Sequence, residues 1–66
     1  MKQSTIRALF QAYNSLHIII DELYYEFEKA VENEDYGDAS LLEARAGRLF
    51  SEAEAILAVI LEYQNG

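Results

Sequence analysis

Apolar side chains stand at Ile6, Leu9, Tyr13, Leu16, Ile20, Leu23, Phe27 and Ala30, in alternating steps of three and four residues. That rhythm is the a/d ladder of an α-helix lying at a shallow angle against other helices; a half-buried strand would alternate every second residue. Phe10, His17, Tyr24 and Val31 recur every seven residues at the neighbouring e position. The stripe is therefore a, d and e, wider than the seam of a two-stranded coiled coil and suited to a bundle. A second ladder follows with the same rhythm: Ala39, Leu42, Ala46, Leu49, Ala53, Ile56, Ile60 and Tyr63. Proline, which would break such helices, is absent.

Between the ladders, Glu32-Asn33-Glu34-Asp35-Tyr36-Gly37 breaks the pattern. Gly37 and Gly66 stand where helices end, Ser4 or Thr5 can cap the first helix, and Asp35 can cap the second with Asp38 favouring its N-terminus. Helix one is expected over about residues 5–32, the turn over about 33–37 and helix two over about 38–64. Each helix is then roughly 40 Å long. A short connection makes them antiparallel neighbours, so the expected fold is all-α, a single helical-hairpin domain spanning residues 1–66.

Such a hairpin cannot cover itself. A chain of 66 residues builds only a marginal core and is usually stapled by disulfides, a metal or oligomerisation. There is no cysteine and one histidine, so no disulfide and no all-protein transition-metal cage. Oligomerisation remains. Around Ala55-Ile56-Leu57-Ala58-Val59-Ile60-Leu61 the second helix is apolar on every side, which one companion helix cannot bury. Its outer face carries small residues, Ser40, Ala44, Gly47, Ser51, Ala55 and Ala58. These either form a solvated face or let another helix approach closely, and mid-helix Gly47 favours close approach because glycine there costs about 1 kcal/mol relative to alanine. The expectation is a homodimer forming an antiparallel four-helix bundle in which helix two contacts both its own helix one and the partner chain, held by Leu16, Ile20, Leu23, Leu49, Ile56, Leu57 and Ile60. A hetero-complex would bury the same surface. The alternative is a dimer through the Ile18 and Tyr25 face that leaves the small face of helix two exposed.

The formal charge is −7, which opposes direct binding to nucleic acid or anionic membrane. Arg7, Arg45 and Arg48 are too scattered for an RNA-binding stripe. No apolar run is long enough to span a bilayer and no signal-peptide core follows Met1, so a cytoplasmic location is expected. Nine of the acidic residues lie between Asp21 and Glu43 against Lys29 alone. They either keep a greasy hairpin in solution or form an acidic tip that docks on a protein. Ile18 and Tyr25 share the f position of helix one, with Ile19 beside them, next to acidic residues. The candidate partner-binding residues are Ile18, Asp21, Glu22, Tyr25, Glu28, Glu32 and Asp35.

Catalysis and cofactors are not expected. His17 has Asp21 one turn away, but no serine or cysteine nucleophile accompanies them, and Tyr13 is the better packing neighbour. No glutamate precedes His17 by three residues, as a di-iron bundle would need. The turn offers too few oxygen ligands for calcium, and Ala44 stands where a calcium loop requires glutamate.

Ala30, Glu34, Asp35, Tyr36, Ala39, Leu42 and Leu49 together resemble the UVR motif, the short helical hairpin shared by the bacterial excision-repair proteins UvrB and UvrC. The likeness covers about a third of the chain and departs at Gly37, usually glutamate, and at Glu43-Ala44, usually arginine-aspartate. It implies pairing of one hairpin with another, protein–protein contact and no catalysis. The two-helix plan also looks like the plasmid-copy-number protein Rop, though the residues do not, and the RNA-binding role of that family needs basic residues missing here. The expected function is a small acidic interaction protein that binds and regulates or scaffolds a protein partner. The alternative is a nucleic-acid mimic that occupies a basic surface of a nucleic-acid-binding protein.

Overall fold

A computed structural model describes residues 1–65. Two helices, α1 (Gln3–Glu32) and α2 (Tyr36–Asn65), pack against each other as a hairpin, and no strand occurs among the described residues. Gly66, the other glycine expected at a helix end, lies outside them. The hairpin measures 47 × 15 × 12 Å, the long axis matching 30 residues per helix at about 1.5 Å rise each.

Both ladders turn inward except at Tyr63, which stays exposed at the open end. Every buried residue belongs to them: Ile6, Ile20 and Ala30 from α1; Ala39, Ala46, Ala53 and Ile60 from α2. Leu9, Tyr13, Leu16, Leu23 and Phe27 face Leu42, Leu49 and Ile56 from half-buried positions. The a row of α2 is mostly alanine, whereas the d row of α1 is mostly leucine. Counting outward from the turn puts Leu23 level with Ala46 and Leu16 level with Ala53, large against small. The helices close over Ala46 and Ala53 completely, leaving both 0% exposed. At the open end the Tyr63 hydroxyl donates to the Met1 carbonyl at 2.8 Å, which ties the two ends level.

The turn is tighter than the composition predicts. Helix α1 runs to Glu32 and α2 starts at Tyr36, so only Asn33, Glu34 and Asp35 connect them. Asp35 N–H donates to the Ala30 carbonyl at 2.8 Å and Glu34 N–H to Val31 at 3.0 Å. These are the two bonds of a Schellman ending, which needs one left-handed residue. Glycine was expected to end the helix, yet Gly37 lies inside the first turn of α2 and the left-handed residue is Glu34, with φ 59°. Hydrogen bonding dictates the position, and glycine stands three residues too late to take it. Asp35 then serves both helices: after closing α1 with its N–H, it accepts Ala39 N–H on its carbonyl at 3.0 Å.

The start of α1 also differs from expectation. Lys2, extended at φ −70° and ψ 151°, holds the cap position without a side-chain bond, and its carbonyl accepts Thr5 N–H at 3.0 Å and Ile6 N–H at 3.1 Å. Ser4 and Thr5 lie within the helix instead. Water satisfies the first N–H groups of an exposed end, so a hydroxyl cap is not required there.

Candidate interaction face

The e positions of an antiparallel helix pair lie on the same side of it, and here both rows are apolar or aromatic except at Glu43. On α1 the row is Phe10, His17, Tyr24 and Val31; on α2 it is Tyr36, Glu43, Phe50 and Leu57. The His17 ring meets Phe50 edge-on across the helices, centroids 5.9 Å apart, and tilts against Tyr13 at 4.6 Å within α1. That contact joins the two rows into one face. Tyr24 packs edge-on against Phe27 at 6.4 Å. Phe10, Tyr24, Val31, Tyr36 and Phe50 all remain exposed, Phe50 by 45%, although each is large and apolar.

Toward the turn this face opens into a groove of about 540 Å³ lined by Phe27, Val31, Tyr36, Ser40, Glu43 and Gly47. Its walls are aromatic and aliphatic apart from the Glu43 carboxylate, and small residues of α2 keep its floor low. A methyl group built on Gly47 would meet nothing within 4 Å. Close approach between α1 and α2 is therefore not what glycine serves here. At the middle of the face, His17 buries its Nε2 with no hydrogen-bond partner. His17 is packed between aromatic rings, and no ion pair among the described residues joins it to Asp21, which is exposed.

The second candidate surface is the back of α1. Ile18 and Tyr25 stand 61% and 62% exposed, with Asp21, Glu22, Glu28, Glu32 and Asp35 exposed around and beyond them toward the turn. Lys29 lies over the Tyr25 ring, its Nζ 5.3 Å from the centroid, and pairs with Glu26 at 3.6 Å. This surface carries more charge than the e face. At the turn, Asp35 shares a hydrogen bond with Asp38 and repels its charge, raising the Asp38 carboxyl above its ordinary 3.8.

All the residues expected to hold the bundle line the helix–helix contact or border it: Ile20 and Ile60 are buried, and Leu16, Leu23, Leu49, Ile56 and Leu57 are half-buried. Val59 and Leu61, in the segment apolar on every side, stay exposed. Phe50 was not singled out by sequence, although its seven-residue spacing from Leu57, beside the second ladder, mirrors the e row of α1. No three His, Asp or Glu side chains among the described residues are grouped so as to hold a metal ion. No described helix is long and apolar enough to cross a membrane.

Comparison with protein-family models, curated proteins and solved structures finds no match to this chain.

Proposed function

We propose that this chain is a small acidic interaction protein whose hairpins pair into a homodimeric four-helix bundle, and that the bundle binds and regulates or scaffolds a protein partner. The observation that carries this reading is the e face, where apolar rows from both helices converge and stay open. A contiguous apolar surface of this kind marks an association site. The isolated hairpin exposes 4951 Å², against about 4,200 Å² for a compact monomer of its mass. The excess of roughly 700 Å² approaches the ~800 Å² that each partner buries in a stable complex. The UVR-like positions Ala30, Glu34, Asp35, Tyr36, Ala39, Leu42 and Leu49 favour the same mode, hairpin against hairpin.

With the e face occupied by dimerisation, the back of α1 is left for the protein partner, through Ile18 and Tyr25 flanked by Asp21, Glu22, Glu28, Glu32 and Asp35. Sedimentation equilibrium at micromolar concentration is expected to give twice the 7.5 kDa chain mass. A folded monomer there would defeat the pairing. The partner surface is tested by affinity capture with the intact chain beside an Ile18→Ser/Tyr25→Ser variant. Equal recovery of the same partner by both would remove that surface from the reading.

A further inference from the structure

If the hairpins pair through the e face, as proposed above, that face and the charge distribution also decide their relative direction. We infer that the occupant of the e face is a second copy of this chain running antiparallel, related by a twofold axis that crosses both helices at their midpoints, beside His17 and Phe50.

A twofold that stacks two such faces has two choices. With the axis along the hairpin, the two turns lie side by side; with the axis across it, each turn lies beside the open end of the other copy. Nine carboxylates against Lys29 occupy Asp21–Glu43, leaving the remainder of the chain about +1, with Lys2 and Arg7 near the open end. Side-by-side turns would bring two segments of about −8 within roughly one Debye length, where salt screens them incompletely. The crossed arrangement instead sets each acidic turn against the less acidic end.

Shape agrees with charge. The midpoints of α1 (Gln3–Glu32) and α2 (Tyr36–Asn65) fall beside His17 and Phe50, whose rings are in contact. An axis there brings both copies of this aromatic pair together at the centre, where anchors of association concentrate. The same central position holds the unpartnered His17 Nε2. At about 1.5 Å per residue, Phe10 and Leu57 lie roughly 11 Å from the midpoint on the terminal side, and the groove lies about 5–20 Å from it on the turn side. Rotation about the crossing axis brings Phe10 and Leu57 of the second copy level with the groove lined by Val31, Tyr36 and Gly47. The side-by-side arrangement offers the groove only the other groove.

The chain has no native cysteine, so single labels report direction. Spin labels on Asn33→Cys are expected roughly 40–50 Å apart in the dimer, one helix length. Mixing Asn33→Cys-labelled chain with Gln3→Cys-labelled chain is expected to add a short distance, below about 20 Å, which also covers the case in which one label perturbs the turn. Phe10→Ala and Phe50→Ala are each expected to raise the dimer dissociation constant on the order of tenfold or more, with helical circular dichroism retained, while Ile18→Ala leaves it unchanged. A dimer with short Asn33–Asn33 distances would overturn the antiparallel arrangement and leave hairpin pairing intact. A dimer weakened by Ile18→Ala but not by Phe10→Ala would move the interface to the back of α1. A monomer at all concentrations would remove both this inference and the pairing on which it rests.

Discussion

Glu34 is the residue whose place the rest of the turn dictates. A side chain in the left-handed region costs about 1–2 kcal/mol, part of which glycine returns through the greater freedom it loses on folding. Glu34→Gly is therefore expected to stabilise the hairpin by about 0.5–1 kcal/mol, raising the melting midpoint by roughly 3–6 °C in a thermal melt. Asp38 makes a second residue-level prediction. Its folded-state carboxyl is raised by the shared hydrogen bond with Asp35 and by the charge of Asp35. In the window that opens near its ordinary 3.8 and extends upward, the folded chain holds a proton that the unfolded chain has released. Stability then falls as pH rises through that window. Asp38→Asn is expected to flatten this slope, as read from melts between pH 3 and 6; an unchanged slope would assign the pH dependence elsewhere.

At the scale of the helix pair, the alanines of α2 set the separation. Ala46 and Ala53 are fully enclosed, so Ala53→Leu must push α1 away and is expected to cost about 1–3 kcal/mol, measured by urea unfolding. Leu16→Ala opens a void over the same layer and is expected to cost roughly 2–5 kcal/mol, enough to unfold so small a chain. Gly47 separates helix stability from association. Because a methyl there meets nothing within the chain, Gly47→Ala is expected to stabilise the hairpin by about 1 kcal/mol at dilutions where it is monomeric. The same methyl raises the groove floor and is expected to weaken the dimer. Sedimentation of Gly47→Ala beside the unaltered chain checks both effects.

On the scale of the molecule, the hairpin is a rod. Its radius of gyration of 15.1 Å exceeds the roughly 11 Å of a compact chain of this length. A rod two helices wide has a surface for nearly every residue, which is why Phe10, Tyr24, Val31, Tyr36 and Phe50 remain uncovered. Stability is then expected to depend on chain concentration. A tenfold dilution should lower the thermal midpoint by several degrees, because it removes about 1.4 kcal/mol of mass-action stabilisation from each dimer. A midpoint constant across a hundredfold range of concentration would contradict the proposed pairing.

The two ladders were legible in the amino-acid order because helix geometry converts a three-four spacing into one face regardless of context. They determined two helices and which side of each is inward, every buried residue being a ladder residue, while the short connection made the helices antiparallel. The candidate partner residues Ile18, Asp21, Glu22, Tyr25, Glu28 and Glu32 lie outside by their register, and Asp35 by its place in the turn. The turn was less legible. Composition pointed to Gly37, whereas two specific hydrogen bonds put the left-handed position on Glu34, and such bonds exist only once α1 has chosen its last turn. The e face was half legible: the row on α1 stood out, but Phe50 and Tyr36 joined it only because antiparallel packing brings the e rows of both helices to one side. Periodicity specifies the inside of a helix from local geometry alone. Which outside surfaces merge into a single face depends on the relative placement of two helices, and only the tertiary structure decides that.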